Sequence, residues 1–280
     1  MRNYYTLINS MGSGAAAPSY LLDTYIGAAA AYSFRRLRTL YTGYSVRVRR
    51  SSDNTSQDIG FDGSGNLDTT SLLSFVGAND GYVAIWYDQS GNSKNMVQNT
   101  LAIQPQIVSS GAMITDGGKN AIYFNSQRLS VASPNLDISA KSLFYVGKSS
   151  GTSSNYAGII TMNSTPSDNP ELRIGSTTQV ISYWNGAYVL NSNYGMAVRK
   201  LYSSFITGNK THTLYGNSTQ LAQATRAGTF NTITEFTLGG YAQYNGFQIG
   251  YMNECILYTT DQTTNKTGIE NNINTNYSLY

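Results

Sequence analysis

The stretch Gly81–Asn95, GYVAIWYDQSGNSKN, joins the clearest β-strand pattern of the sequence to its sharpest turn. β-Branched and aromatic residues alternate along its first half with the period of two that suits a pleated, half-buried surface. The segment Asp88–Asn92, DQSGN, then combines residues that tolerate a positive φ or bond their own backbone. The stretch therefore predicts a central strand that ends in a tight turn, with more sheet on either side.

The composition favours an all-β protein. The chain has 280 residues, of which 27 are Gly and 23 are Tyr, and only 12% are charged. Such a composition favours turns and aromatic faces over helical bundles. All-β sandwiches often use about 200–250 residues as one domain, and no linker interrupts this chain. The single cysteine, Cys255, has no partner for an intramolecular disulfide, and we expect it to be a buried small hydrophobe.

The beginning of the chain, MRNYYTLINSMGSG, lacks the cationic segment and apolar run of a secretory signal. No apolar run reaches the length of about 20 residues that spans a bilayer. We therefore expect a soluble chain that is not exported by that route and is not inserted into a membrane.

Positive charge is concentrated near the beginning, because residues 1–50 contain seven arginines and a single acidic residue, Asp23. A basic block can bind nucleic acid. The alternative is that these arginines pair with the carboxylates that follow in the sequence, which are Asp53, Asp58, Asp62 and Asp68. Because no basic stripe continues along the chain, we expect pairing, and nucleic-acid binding stays an alternative only.

The first quarter of the chain predicts an arm, two helices and a strand. Residues 1–24 contain the small-residue stretch GSGAAAPS, which breaks regular structure, together with apolar residues that suit docking onto a partner. Ile26–Tyr41 places apolar residues on one side of a helix. Tyr44–Arg50 alternates valine with arginine as a strand does. Asp68–Gly77 has an acidic N-cap, an apolar face and a C-terminal glycine, as expected of a short helix.

The remainder of the chain predicts mostly short strands separated by turn clusters. We predict strands at 104–108, 120–124, 127–131, 141–148, 156–162, 171–174, 179–184, 198–207, 211–215 and 236–238. Trp184–Ala187 carries the Asn-Gly pair of a type I′ turn, and Thr207–Lys210 predicts a second tight turn. Phe247–Tyr258 predicts a long strand, and Thr264–Tyr277 a closing helix. Many short strands at this spacing predict a two-sheet sandwich.

Two regions carry a resemblance to known families. AAAAYSFRRL (28–37), VRVRRSSDNTSQDIGFDGSGNLD (46–68) and IWYDQSGNSKN (85–95) resemble the start of the arabinofuranosidase-B-like catalytic domain, a concanavalin-like jelly roll. LGGYAQYNGFQIGYMNECILYTTDQTTNKTGIENNINTNY (238–277) is similar to the end of laminin-G-like jelly rolls in many phage virion proteins. The resemblance implies a mainly β, concanavalin A/laminin G-like jelly-roll sandwich over residues 25–280, with a few short helices and an N-terminal arm at 1–24.

The same resemblance implies a phage virion structural protein, a fibre, tail or head-decoration component located in the virion. We expect other virion proteins to bind through residues 1–24, further copies of the chain to associate, a host-surface glycan as ligand, and no cofactor. An arabinofuranosidase-like glycoside hydrolase is the first alternative function. A nucleic-acid-binding protein that uses the basic block is the second.

If the hydrolase alternative held, a retaining enzyme would need two carboxyls about 5 Å apart. The candidate carboxylates are Asp88, Glu171, Glu235, Glu254 and Asp261. Asp88 begins a turn, where aspartate caps backbone amides. Glu254 shares a predicted strand face with apolar residues, so it is either paired with an arginine or functional. We assign no catalytic residue and keep Asp88, Glu254 and Asp261 as candidates.

The remaining candidate ligand-binding residues are aromatic. Tyr183, Trp184 and Tyr188 flank the predicted Asn-Gly turn, where their rings could stack on a sugar. With so many tyrosines in the chain, chance clustering is the alternative. The lone histidine, His212, lies in a predicted hairpin without triad or metal partners in the sequence, and we expect it on the surface. The sequence predicts no metal site.

Overall fold

The computed structural model describes residues 20–152, 157–164, 171–176, 179–184, 187–192, 194–241 and 246–280. The chain is mainly β, as the sequence predicts. Its described α-helices are α1 (Leu21–Thr24), α2 (Thr69–Val76) and α3 (Lys266–Tyr277), and short 3₁₀ helices lie at Leu101–Ile103 and Thr263–Asn265. None of the helices in the described part of the chain has the length and apolar character needed to cross a membrane.

The strands are short, apart from two long ones near the middle and the end of the chain. They are β1 (Ala30–Ser33), β2 (Val46–Arg50), β3 (Ser56–Ile59), β4 (Gly81–Trp86), β5 (Met96–Val97), β6 (Gln106–Ser109), β7 (Ala112–Met113), β8 (Thr115–Asp116), β9 (Lys119–Asn120), β10 (Ile122–Asn125), β11 (Leu129–Leu136), β12 (Lys141–Thr152), β13 (Ala157–Ser164), β14 (Glu171–Ser176), β15 (Gln179–Trp184), β16 (Ala187–Ser192), β17 (Lys200–Ile206), β18 (Thr211–Gly216), β19 (Thr219–Thr225), β20 (Ile233–Leu238), β21 (Gly240–Tyr241) and β22 (Gly246–Tyr258).

Eight of these strands close into a barrel-like ring. Their order is β4, β5, β11, β20, β13, β22, β10 and β6, and β6 pairs with β4 again. The pairs are antiparallel except for the single parallel bridge between β13 and β22. Closure pairs strand edges that would otherwise be exposed. The sequence predicted sandwich strands but not this closure.

Further strands extend the ring on two sides. β12, β17, β18 and β19 continue outward from β22, and β14, β15 and β16 continue from β13. β16 lies against β18 and β19, so the two extensions face each other. β1 also pairs with β22, beside β10, and the β2–β3 hairpin pairs with β4.

Two apolar clusters hold these elements together. The larger one fills the interior and includes Trp86 and Phe236, both fully buried. The smaller one lies on the other face of β12 and β22, where α3 packs with Ile269, Ile273 and Tyr277 buried. The predicted closing helix is thereby confirmed. Its three apolar residues at four-residue spacing are buried and attach α3 to the sheet.

The predicted helix over Ile26–Tyr41 is wrong, because residues 30–33 form strand β1. All four residues of β1 are buried. Ala30 and Tyr32 belong to the larger cluster and Ala31 to the smaller one. A strand that is buried on both faces carries small or apolar residues at every position, so the alternation that marks a strand disappears and the alanines resemble a helix.

The stretch that predicts a central strand does form one, β4, but its inward residues differ from a simple alternation. Val83 and Trp86 are fully buried, whereas Ile85 is only partly buried. The register with β2 shifts between Arg47 and Val48, as a β-bulge does. Because a bulge adds one residue to one strand, it reverses which side chains face the core.

Two other local predictions are confirmed. Helix α2 begins after Asp68, whose carboxylate accepts a hydrogen bond from the Ser71 amide at 2.9 Å. The turn at Thr207–Lys210 closes the β17–β18 hairpin, with the Lys210 amide donating to the Thr207 carbonyl at 2.9 Å. The Asn-Gly turn after Trp184 lies outside the described residues, but Trp184 and Ala187 pair on either side of it.

The arginines near the beginning largely pair within the chain. Arg47 bonds Asp58 through two nitrogens, at 2.8 and 2.7 Å, and Arg50 bonds Asp53 at 3.1 and 2.6 Å. Pairing with the carboxylates that follow in the sequence therefore holds for Arg47 and Arg50. Arg35 pairs with the distant Glu254 instead, and Asp62 and Asp68 accept hydrogen bonds from backbone amides. The predicted arm lies outside the described residues from 1 to 19, and its attachment role stays a prediction. Within the described end of the arm, Leu21 and Leu22 are buried in the smaller cluster, so this part of the arm packs on the chain's own fold.

The prediction that His212 lies on the surface is wrong. This residue of β18 is fully buried and faces β15. Its Nε2 atom lies 2.5 Å from the Ser182 hydroxyl and 3.1 Å from the Ser204 hydroxyl. Ser204 also accepts a hydrogen bond from the buried Lys141 ammonium at 3.0 Å. A polar side chain between hydrophobic layers is accommodated when such hydrogen bonds replace its water.

This environment predicts loss of stability in mild acid. Burial, and then the positive charge of Lys141, lower the pKa of His212 well below 6.5. The folded state then binds fewer protons than the unfolded state, so the free energy of unfolding is highest above about pH 6.5 and falls as the pH drops below it. His212→Gln is expected to flatten this slope between about pH 6.5 and 5 in urea unfolding. Parallel slopes for both proteins would contradict the assignment.

Candidate functional site

A polar row crosses the face of the ring that is turned away from the core. On β20, Phe236 and Leu238 belong to the larger cluster, so Glu235 and Thr237 lie on the opposite face. The Thr237 hydroxyl donates to the Glu235 carboxylate at 3.1 Å. Glu235 is partly exposed, which leaves a carboxylate accessible on a central strand of the ring.

Hydroxyl groups on the neighbouring strands extend this row. Thr237 pairs with Ser130 on β11 and with Thr161 on β13. The Thr161 hydroxyl donates to the Gly240 carbonyl at 3.1 Å. The row is therefore made of the hydroxyls of Ser130, Thr237 and Thr161, and both threonines are buried. The Glu235 carboxylate lies two residues from Thr237 along β20 and accepts its hydroxyl.

The strand register brings several of the sequence candidates next to this row. Ile160 on β13 pairs with Leu172 on β14, so Glu171, one residue before Leu172, is aligned with Thr161. Glu171 pairs with Tyr183 on β15, and Tyr183 pairs with Tyr188 on β16. A glutamate and two tyrosines from the sequence prediction thus occupy successive strands of one extension. Trp184 is the next residue along β15 and pairs with Ala187.

A surface cavity of about 660 Å³ adjoins the other end of the row, at Ser130 and Val97. Its wall is rich in amide and hydroxyl groups, supplied by Ser93, Asn95, Gln98, Asn99 and Thr100, and it includes one charged residue, Arg128. The Gln98 amide donates to the Arg128 carbonyl at 3.0 Å and accepts from the Thr100 amide at 2.9 Å. Such a wall suits a neutral ligand with many hydroxyl groups.

Local sequence patterns do not predict this cavity, because its residues come from two distant segments that the strand order brings together. The loop after Asn95 and the strand around Ser130 are neighbours only through the pairing of Ser130 with Val97. The signal in the sequence was the run of amide side chains in NSKNMVQNT, residues 92–100. Amide-rich loops are also common turns, so that signal was ambiguous.

A larger cavity, of about 830 Å³, lies beside the DQSGN segment. Its charged residues are Asp23, Arg38 and Lys94. The Asp23 carboxylate accepts hydrogen bonds from the Thr39 amide at 3.0 Å and from the Thr39 hydroxyl at 2.6 Å. Because its wall contains one carboxylate, and that one serves a turn, this cavity offers less hydrolytic chemistry than the polar row.

Asp88 caps backbone amides in the way expected of a turn residue. Its buried carboxylate accepts hydrogen bonds from the amides of Ala31, Ser90 and Lys94 at 2.8, 2.9 and 3.0 Å. Gln89, the next residue, accepts from the Leu37 amide and donates to the Ser33 carbonyl. The DQSGN segment therefore holds β1 against the end of β4, and its acidic side chain has its acceptor oxygens occupied.

Glu254 is paired with an arginine, the outcome that the sequence analysis favoured over a functional role. The Arg35 guanidinium donates through Nε and Nη2 to the two carboxylate oxygens, both at 2.9 Å. Ser33 and Tyr277 donate their hydroxyls to the same carboxylate, at 2.7 and 3.2 Å. The carboxylate is only 1% exposed, so the geometry favours a structural role.

The surroundings of this pair favour the charged form of Arg35 and the protonated form of Tyr277. Burial alone would lower the pKa of Arg35, but the charge of Glu254 more than offsets it, and the pKa is raised. Burial, and then the charge of Glu254, raise the pKa of the Tyr277 hydroxyl well above 10. Tyr277 therefore stays protonated and remains a hydrogen-bond donor.

Asp261, the last acidic candidate, is exposed and caps the 3₁₀ helix before α3, accepting from the Thr263 amide at 2.9 Å. Cys255 is fully buried, and burial raises the pKa of its thiol, so it behaves as the expected small hydrophobe. Within the described ranges, no group of three or more His, Cys, Asp or Glu side chains is placed to hold a metal ion.

Comparison with known proteins identifies structural neighbours. No family model matches the chain, and no curated protein sequence matches it. A GH54 α-L-arabinofuranosidase soaked with a cyclic sulfate inhibitor matches 88% of the chain with a TM-score of 0.70 and 16% identity. An arabinofuranosidase complexed with arabinofuranosyl-α-1,2-xylobiose matches the same share with a TM-score of 0.66 and 15% identity.

The chain spans 62% of the length of each of these arabinofuranosidases. A Trypanosoma rangeli sialidase mutant displaying trans-sialidase activity matches 69% of the chain and 31% of its own length, with a TM-score of 0.50 and 11% identity. At these identities the likeness shows a shared fold. The resemblance to arabinofuranosidases that the sequence carries is therefore confirmed at the level of fold.

The predicted function as a phage virion structural protein is wrong. The finding against a fibre, tail or head-decoration component is the fold, which the chain shares over 88% of its length with arabinofuranosidases. The error arose because the closing strand and helix, 238–277, resemble the end of laminin-G-like jelly rolls in general. Such an ending follows from how a strand and a covering helix pack, and the same fold supports unrelated functions.

The burial of the Glu254 pair predicts a large effect on stability. Arg35→Ala would leave the Glu254 carboxylate buried without its cation, and the expected loss is about 3–5 kcal/mol in the free energy of unfolding. Arg47→Ala is the matched control, since Arg47 holds Asp58 with the same two nitrogens but its side chain is 42% exposed. Its expected cost is below about 1 kcal/mol. Equal losses in urea unfolding would contradict this.

Proposed function

We propose that the chain is a carbohydrate-active protein, a glycoside hydrolase-like enzyme that acts on arabinofuranosyl groups. The observation that carries the proposal is the partly exposed Glu235 on a central strand of a fold shared with arabinofuranosidases. The hydroxyl and amide groups beside it supply the donors and acceptors that a sugar requires. One neighbour is an arabinofuranosidase in complex with arabinofuranosyl-α-1,2-xylobiose, and this ligand suggests the substrate class.

We also propose that the architecture is a concanavalin-like jelly-roll sandwich. The ring and its two facing extensions would then be the two layers, with the larger apolar cluster between them. The facing of β16 against β18 and β19 supports this, since strands on opposite layers meet there.

Glu235 and Glu171 are the pair that we propose for catalysis. They lie on strands on either side of β13, with Glu235 paired to Asn163 and Glu171 aligned with Thr161. Strand spacing of about 4.8 Å and a rise of about 3.4 Å per residue place their Cα atoms roughly 12 Å apart. For catalysis, the carboxyl groups of the two glutamates would flank one glycosidic bond, one as the acid and the other as the base or nucleophile.

The test is hydrolysis of 4-nitrophenyl α-L-arabinofuranoside by the full chain, followed by release of nitrophenol. Glu235→Gln and Glu171→Gln are each expected to lower kcat by at least about 100-fold, because each would remove a proton-transferring or attacking carboxylate. Asp53→Asn is the control, since Asp53 is an exposed partner of Arg50, and it should leave the rate unchanged.

The possible outcomes distinguish an enzymatic role from carbohydrate binding without catalysis. Absence of hydrolysis with retained binding to arabinoxylan would overturn the enzymatic role and leave a glycan-binding protein. Absence of both would overturn the carbohydrate assignment. Equal losses for Asp53→Asn and Glu235→Gln would show that the loss of activity reflects folding rather than chemistry.

A further inference from the structure

A pair of tyrosines lies on the part of β22 that α3 leaves uncovered. Helix α3 packs on the outward face near Ile256 and Tyr258, in the smaller cluster. Farther along β22, Tyr251 pairs with Tyr123 on β10, and their rings lie 4.9 Å apart with an angle of 42° between the planes. Both rings are partly exposed, because the neighbouring Met252 occupies the core face.

A charged pair borders these rings. Lys148 on β12 is opposite Tyr251 in the register, and its ammonium lies 4.6 Å from the centre of the Tyr251 ring. The same ammonium bonds the Asp116 carboxylate through Oδ1 at 2.7 Å. The Lys148 side chain is 27% exposed and that of Asp116 only 5%. The rings therefore adjoin a donor that reaches solvent and an acceptor that is almost fully buried.

Two buried polar atoms at this place lack a hydrogen-bond partner among the residues that the structure describes. One is Asp116 Oδ2 and the other is Arg199 Nε. The other nitrogens of Arg199 donate to the backbone carbonyls of Asp116 and Tyr277, so the guanidinium is held between these two carbonyl groups. A buried polar atom without a partner is costly, and a ligand that donates to it would recover that cost.

We propose that Tyr123, Tyr251, Lys148 and Asp116 form a second carbohydrate-binding site, separate from the polar row at Glu235. The apolar face of a neutral sugar ring stacks on the two tyrosines. A sugar hydroxyl donates to Asp116 Oδ2, and an adjacent hydroxyl accepts from the Lys148 ammonium. The site binds a glycan chain without reacting with it, and so it goes beyond the proposed hydrolytic function.

A hydroxyl group suits this site better than an anion. The Lys148 ammonium is already balanced by Asp116, and the bonded nitrogens of Arg199 are directed at carbonyl groups. A phosphate or a nucleic acid would have to approach the Asp116 carboxylate, whose negative charge repels it. Aromatic rings next to hydrogen-bonding groups match the alternating apolar and hydroxyl surfaces of a sugar.

The experiment measures binding of arabinotriose, xylotetraose and cellotetraose to the full chain by calorimetry, with Glu235→Gln as the background so that hydrolysis does not consume the probe. Tyr123→Ala and Tyr251→Ala are each expected to weaken binding of at least one probe by about 10-fold. Tyr251→Phe should retain affinity because it keeps the ring, and Asp116→Asn should lose it because an amide replaces one acceptor oxygen.

Tyr44→Ala is the matched control, since Tyr44 also forms an exposed tyrosine pair, with Tyr87 at 6.1 Å, elsewhere on the surface. It should bind every probe as the background protein does. Unchanged affinity in Tyr123→Ala, Tyr251→Ala and Asp116→Asn, or absence of binding by all three probes, would overturn the site. Binding is measured in the Glu235→Gln background and needs no hydrolysis, so failure of this site and failure of the Glu235 site are distinguishable.

Discussion

The buried ion pair between Arg35 and Glu254 is the interaction on which the surrounding structure depends. It joins the segment after β1 to the long strand β22, and Tyr277 of α3 bonds the same carboxylate. Arg35 also donates to Asn272 on the helix at 2.8 Å. A charge pair of this kind is costly to bury and tolerates little misplacement. The two strands and the helix are therefore fixed in one relative position, and the ring and its covering helix form around it.

Local signals predicted much of this fold. The strand β4, the capped helix α2 and the closing helix α3 follow from periodicity and end residues that act within a few positions. These local patterns gave wrong predictions for a strand that is buried on both faces and for a polar side chain that is buried. The alanines of β1 lack alternation because both faces of the strand are covered, and His212 is buried because Ser182 comes from a strand on the opposing extension. Neither fact is encoded in the residues adjacent to it.

The candidate site was predictable in its residue types but not in its arrangement. Glu171, Tyr183 and Tyr188 were recognised as groups of the right chemistry, and the register of β14, β15 and β16 brings them side by side. Glu235 joins them only because β13 lies between β14 and β20. Strand order of this kind depends on pairings between distant segments, which sequence periodicity does not report. The sequence therefore supplied candidates, and the topology selected among them.

The position of β22 has a consequence for how the chain reaches its native state. This strand pairs with β1, β10 and β12, so residues near 30 find their partners only at residues 254–257. During synthesis, the ring and the larger apolar cluster cannot close until β22 has left the ribosome, and the smaller cluster also needs α3. Contacts of such long sequence separation form slowly and expose unpaired edges in the meantime. A nascent chain halted before β22 would therefore carry an open sheet, and the cell's chaperones would meet it in that form.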